Sequence, residues 1–145
     1  MEWLCVMAET KYQIFFISHN KLAEGVLAAV KMIAGDQVEA TAYGLMPGQN
    51  PEDKIKEIEA KIESDSHTLI LADLFGGSMA NAAVQLAAKP NVRLITGLNL
   101  ALALAAVLEK PWTDEEINKL IARSRENIRE VTIDPVKEDA EEDFF

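Results

Sequence analysis

The run Thr68-Leu69-Ile70-Leu71-Ala72 leaves no face of a strand for water. A strand exposed on one side alternates apolar with polar residues, whereas a continuous apolar run belongs to a strand covered on both faces. Such a strand requires helices above and below it, and the rest of the chain supplies them. Tyr12-Gln13-Ile14-Phe15-Phe16-Ile17 is a second short, aromatic and β-branched run. Leu22, Val26, Ala29, Val30 and Ile33 then recur at helical spacing until Gly35 stops the run. Val38 to Tyr43 alternates weakly as a strand, and Val92-Arg93-Leu94-Ile95-Thr96 reads as a fourth.

Helix starts are marked by local chemistry. Asn50 can cap a helix that opens with Pro51, and Glu52 with Asp53 complements its dipole. Ile55, Ile58 and Ile62 line one face of that helix. Met79 to Lys89 and Leu100 to Leu108 read as further helices, and Thr113 with Glu116 forms a capping box for another through Arg129. Glu130-Val131-Thr132-Ile133 is a short strand pattern before Asp134-Pro135. Strand and helix therefore alternate four times, followed by one more helix and strand. That order predicts an α/β fold: a doubly wound, mainly parallel sheet in order 2-1-3-4, helices on both faces, and a C-terminal edge strand. Residues 1–11 read as an extension, 12–134 as the domain and 135–145 as an acidic tail.

Charge and cysteine usage narrow the function classes. The chain of 145 residues has 14 Lys and Arg against 24 Asp and Glu, a net charge of -10, which opposes binding to nucleic-acid phosphates. Five acids against one lysine between Lys137 and Asp143 give the tail a solvated character. A single cysteine, Cys5, cannot form an internal disulfide, and a Cys-rich metal site is excluded. No apolar run reaches the ~18 residues of a membrane span, and the first eleven residues lack the pattern of a signal peptide. A cytoplasmic location is expected.

In sheets of this order, ligands sit beyond the carboxyl ends of the strands, where the winding reverses between strands 1 and 3. Strand 1 runs into Ser18-His19-Asn20 and strand 3 into Asp73-Leu74-Phe75-Gly76-Gly77-Ser78. A histidine and an aspartate distant in sequence are thus delivered to one crevice. A carboxylate on one ring nitrogen fixes the tautomer and leaves the other nitrogen as a nucleophile. Asp73 would also stabilise the cation formed when a phosphoryl group lands on the ring. Gly76 and Gly77 let backbone amides approach an anion, and Ser78 either caps the helix or offers its hydroxyl to a phosphate oxygen. Nucleophile, orienting acid and anion cradle together suit phosphoryl transfer to His19. Taken singly, each residue also has a plain structural role. His67, before strand 3, belongs to the opposite edge of the sheet and to the surface. The chain has no P-loop, no dinucleotide fingerprint and no G-x-S-x-G elbow around Ser18 or Ser78. Its two histidines, at opposite ends of the sheet, build no metal site, and no cofactor is expected.

These residues carry a family resemblance. Ile17-Ser18-His19 resembles the strand-to-histidine segment of the enzyme IIA domain of the mannose family in the bacterial phosphoenolpyruvate-dependent sugar phosphotransferase system. Ala72 to Ser78, followed by Ala80-Asn81-Ala82-Ala83, is similar to that family's Asp-x-x-Gly-Gly-Ser-x-x-Asn-Ala motif. Ile95-Thr96-Gly97-Leu98-Asn99-Leu100 resembles its fourth-strand exit. The resemblance implies a phosphotransferase in which His19 takes a phosphoryl group from the phosphohistidine of HPr. That group passes to a cognate IIB domain, which phosphorylates sugar during uptake through the membrane IIC and IID proteins. Asp73 would orient His19, while Gly76, Gly77 and Ser78 hold the phosphate. The resemblance also implies a homodimer in which Glu130–Ile133 exchanges onto the partner's sheet.

Three positions depart from the family pattern: Asn20 for a glycine after the histidine, Met79 for a proline after Gly-Gly-Ser, and Ala101-Leu102 for Pro-Met. None removes a reacting group. Phe75, Met79 and Leu98, on loops bordering the crevice, are expected to form an apolar docking rim for HPr or IIB. The competing reading is a regulatory or partner-sensing module of the same fold without turnover. The pairing of His19 with Asp73 favours the carrier.

Overall fold

The structure is a computed structural model that describes residues 10–133. Apart from Thr10 and Lys11, the expected N-terminal extension lies outside the described residues, as does the acidic tail. Four parallel strands form one sheet: β1 (Lys11–His19), β2 (Thr41–Leu45), β3 (Ser66–Ala72) and β4 (Val92–Thr96). Their order is β2-β1-β3-β4, as the alternation of elements predicts. Five α-helices connect and flank them: α1 (Leu22–Ala34), α2 (Pro51–Lys61), α3 (Ser78–Ala83), α4 (Leu100–Glu109) and α5 (Asp114–Glu126).

The two central strands separate two apolar layers, because successive side chains on a strand point to opposite faces. Ile14, Phe16, Leu69 and Leu71 pack with α1, α4 and α5 through Val26, Val30, Leu102, Ala106 and Leu120. Phe15, Ile17, Ile70 and Ala72 pack with α2 and α3 through Ile55, Ile58, Met79 and Ala83. The helix signals behave as expected. Asn50 accepts the Glu52 amide at 3.0 Å with Pro51 opening α2, and Thr113 and Glu116 close a complete capping box on α5. The Thr113 amide and hydroxyl hold the Glu116 carboxyl below its ordinary pKa.

Three elements depart by three residues or more from the sequence reading. β2 is Thr41–Leu45 and not Val38–Tyr43, because pairing with β1 runs from Phe15 opposite Thr41 to His19 opposite Leu45. Val38 and Ala40 instead pack half-buried against the first layer. α3 spans six residues and tightens into a 3₁₀ turn over Val84–Ala88 ahead of Pro90, which cannot donate to a continuing helix. α5 stops at Glu126, three residues short of Arg129. The expected edge strand is absent from this four-stranded sheet: Glu130–Ile133 is unpaired, and Val131 and Ile133 are 87% and 100% exposed. β-branched residues favour a strand, but only pairing makes one.

Phe16 is fully buried between the sheet and its helices, so Phe16→Ala should cost about 3–5 kcal/mol. Met32→Ala, at a residue 90% exposed, should stay within about 0.5 kcal/mol. Urea unfolding midpoints of the two variants check the difference.

Candidate functional site

The site grows out of the register of the central strands. Ile17 pairs with Ala72, and the Asp73 amide continues the ladder by donating to the Ile17 carbonyl at 3.1 Å. That step places the Asp73 carboxylate beside His19. Its Oδ2 accepts from the His19 backbone amide at 2.9 Å and lies 2.8 Å from ring Nδ1. A carboxylate only accepts, so in the neutral ring Nδ1 carries the proton and Nε2 keeps the lone pair. The aspartate side chain is 8% exposed and the imidazole 47%, a buried anion behind an accessible ring. The second oxygen, Oδ1, is buried with no partner among the described residues.

Ser78 faces the other nitrogen. Its hydroxyl lies 3.0 Å from Nε2 and donates to the lone pair. The cap of α3 is Gly77 and not Ser78, and no side chain satisfies the amides of the first turn. Gly76 turns with φ at +81°, a conformation that side chains rarely adopt, and the Asn81 side-chain Nδ2 donates to its carbonyl at 3.1 Å. A Cβ on Gly77 would sit 3.1 Å from His19 Cε1 and 3.1 Å from the Leu74 carbonyl, so the bare residue leaves room for the ring.

All five residues expected at the centre, His19, Asp73, Gly76, Gly77 and Ser78, therefore lie together. The apolar rim divides. Phe75 is 85% exposed, but Met79 and Leu98 are 0% and 6% exposed, so neither presents the accessible surface expected of it. Met79 follows Ser78 on α3, where one residue's step turns the side chain away from the ring and into the second core layer. Leu98 belongs to the first layer, and its amide donates to the Ala72 carbonyl at 2.9 Å. The exposed apolar neighbour that the sequence reading missed is Leu74, at 58%. A leucine between Asp73 and a loop tip is its signal.

Ser18 is fully buried and accepts the Ala23 amide at 2.8 Å, which makes it a fixture of the α1 entry and not a nucleophile. His67 lies at the opposite end of β3, half-buried and stacked on Trp112 with ring centroids 4.2 Å apart. No group of metal-ligating side chains occurs among the described residues. None of their helices is long and apolar enough to cross a membrane.

A parallel sheet in the order β2-β1-β3-β4 with helices on both faces is a flavodoxin-like α/β domain, and here its carboxyl edge carries an imidazole held by a carboxylate. Within that class, the sequence pattern of the PTS system fructose IIA component (EIIA-man) matches residues 13–125, and the chain belongs to this family. It is 38% identical over 95 residues to the PTS system sorbose-specific EIIA component of Klebsiella pneumoniae, covering 63% of this chain and 70% of that one. It is 27% identical over 130 residues to the PTS system mannose-specific EIIAB component of Escherichia coli (strain K12), covering 85% of this chain. The chain spans 40% of the length of that relative. The mannose/sorbose specific IIA subunit of the phosphotransferase system from Enterococcus faecalis superposes with a TM-score of 0.77 at 26% identity. That match covers 86% of this chain and 97% of the other.

The split of the rim makes a paired prediction. Met79→Ala should lose about 2–5 kcal/mol of stability, as for other buried large-to-small changes. Phe75→Ser, at a residue 85% exposed, should leave the unfolding midpoint unchanged. Equal midpoints for the two variants would refute this division of the rim.

Proposed function

We propose that the chain is a phosphocarrier of a sugar phosphotransferase system, with His19 Nε2 as the covalent acceptor. The observation that carries this reading is the Asp73 carboxylate, which holds both the backbone amide and Nδ1 of His19 while Nε2 faces the uncapped start of α3. The donor is the phosphohistidine of HPr. Its P–N bond breaks as a bond forms between phosphorus and Nε2, so no proton has to leave. The product ring keeps its Nδ1 proton and becomes a cation, which the Asp73 carboxylate stabilises. The Ser78 hydroxyl, released from the lone pair, turns to a phosphoryl oxygen, and Gly76 and Gly77 bring amides close to the others. The reverse geometry hands the group to a IIB domain for sugar phosphorylation during uptake through IIC and IID. The chain works in the cytoplasm in this scheme.

The carrier acts as a homodimer in which Glu130–Ile133 pairs with the partner's β4. Val131 and Ile133 are exposed apolar β-branched residues with no strand beside them, and β4 has a neighbour on one side only. Both features favour exchange. Sedimentation should give a dimer for the full chain and a monomer for a chain ending at Asn127. A truncated chain that remains dimeric would refute the exchange.

Intact mass after incubation with phosphoenolpyruvate, enzyme I and HPr tests the carrier reading. Wild type should gain one acid-labile phosphoryl group and His19→Gln none. Asp73→Asn should slow the gain about 10- to 100-fold, the scale of a lost hydrogen bond to a charged group. No adduct on folded wild type with active donors would turn the assignment to a regulatory module.

A further inference from the structure

We infer that Gly44 is a positioning residue for His19: its bare Cα gives the chain room to turn sharply after the nucleophile. Gly44 lies on β2, opposite Ser18, and belongs to no loop of the site. Its own backbone does not require glycine, since its φ is not among the positive values. Glycine weakens a strand, and one kept inside a strand marks the close approach of another backbone. Here the approaching group is the Asn20 peptide. A Cβ on Gly44 would stand 2.0 Å from the Asn20 carbonyl oxygen and 3.0 Å from its carbon. Neither atom is the movable end of a side chain.

The same residue is held at its other end. The Asn20 amide donates to the Leu45 carbonyl at 2.7 Å, so consecutive residues of β2 hold both ends of one residue. Asn20 takes φ at +52°, left-handed, and its Oδ1 accepts the Lys21 amide at 2.9 Å. Asparagine is the residue that best tolerates this conformation after glycine. The turn directs the chain into α1 while His19 remains facing Asp73 and Ser78. Moving a Gly44 Cβ from 2.0 Å to the 3.4 Å of ordinary contact would displace the turn by about 1.4 Å. A misplacement of about 1 Å at a reacting group can cost about 100-fold in rate.

The link to transfer rests on His19 being the acceptor, so the test has a readout that does not need transfer. Histidine-labelled protein shows two imidazoles, and His19→Gln assigns them. In wild type the His19 ¹⁵N shifts should report a protonated Nδ1 and a lone pair on Nε2. Gly44→Ala should shift or average those signals and slow phosphorylation from phospho-HPr at least about tenfold. Ala42→Gly, which weakens the same strand opposite Phe16 without touching Asn20, should leave the signals at their wild-type positions. Should Gly44→Ala not fold, Asn20→Ala strains the same turn from the other side and should move the same signals. Wild-type His19 signals in whichever of these variants folds would overturn the inference. If the signals move but wild type accepts no phosphoryl group, the carrier reading fails and the positioning role stands.

Discussion

One carboxylate oxygen holds this site together. Asp73 Oδ2 binds the main chain and the ring of a residue 54 positions away, and so locks two strand ends and one tautomer at once. Burying a carboxylate is costly unless donors meet it. The donors here come from β1, which makes the placement of the charge depend on the β1–β3 register. A slip of one residue would send the Asp73 side chain to the opposite face of the sheet. The apolar layers resist that slip, because it would also carry Leu69 and Leu71 out of one layer and Ile70 and Ala72 out of the other.

The same economy governs the opposite wall. α3 has six residues, too few to be stable by itself, and no side-chain cap. It is fixed by what it buries. Met79, Ala80, Ala82 and Ala83 all face the second layer, which leaves Ser78 and Asn81 for the site: one on Nε2, the other on the Gly76 carbonyl. Core and chemistry alternate along a single turn of helix, so loosening Met79 would move Ser78. The exposed pair Leu74 and Phe75 stands outside that coupling and is open to contact another protein.

How much of this was legible in the sequence follows from how local each signal is. Continuous apolar runs identified β1 and β3, and caps at Asn50 and Thr113 identified α2 and α5, because backbone and side chain within a few residues decide them. The central site was legible because it lies at the ends of those two clear strands. β2 was misplaced because its pattern is diluted by Gly44, whose reason for being there is a peptide more than twenty residues earlier in the chain. Leu98 and Met79 looked like rim residues because sequence gives proximity to a loop but not direction. The Leu98 amide bond to Ala72 and the helical rotation between Ser78 and Met79 turn both inward. Glu130–Ile133 has the composition of a strand, but it pairs with no strand of its own sheet.

The departures from the family pattern are intelligible on the same terms. Asn20 stands where the pattern has glycine, and the backbone there is left-handed, which is the substitution that such a turn accepts most readily. Met79 and Ala101 replace prolines within the first turns of helices, where a missing amide costs nothing and a present one adds a donor. At Met79 that donor lies next to Ser78, whose hydroxyl faces Nε2. At Ala101 it lies one residue before Leu102, whose amide Asn99 already takes at 2.9 Å. Two of the three departures therefore change the supply of backbone donors at helix starts and the third keeps a left-handed turn, while the imidazole, its carboxylate and the facing hydroxyl stay intact.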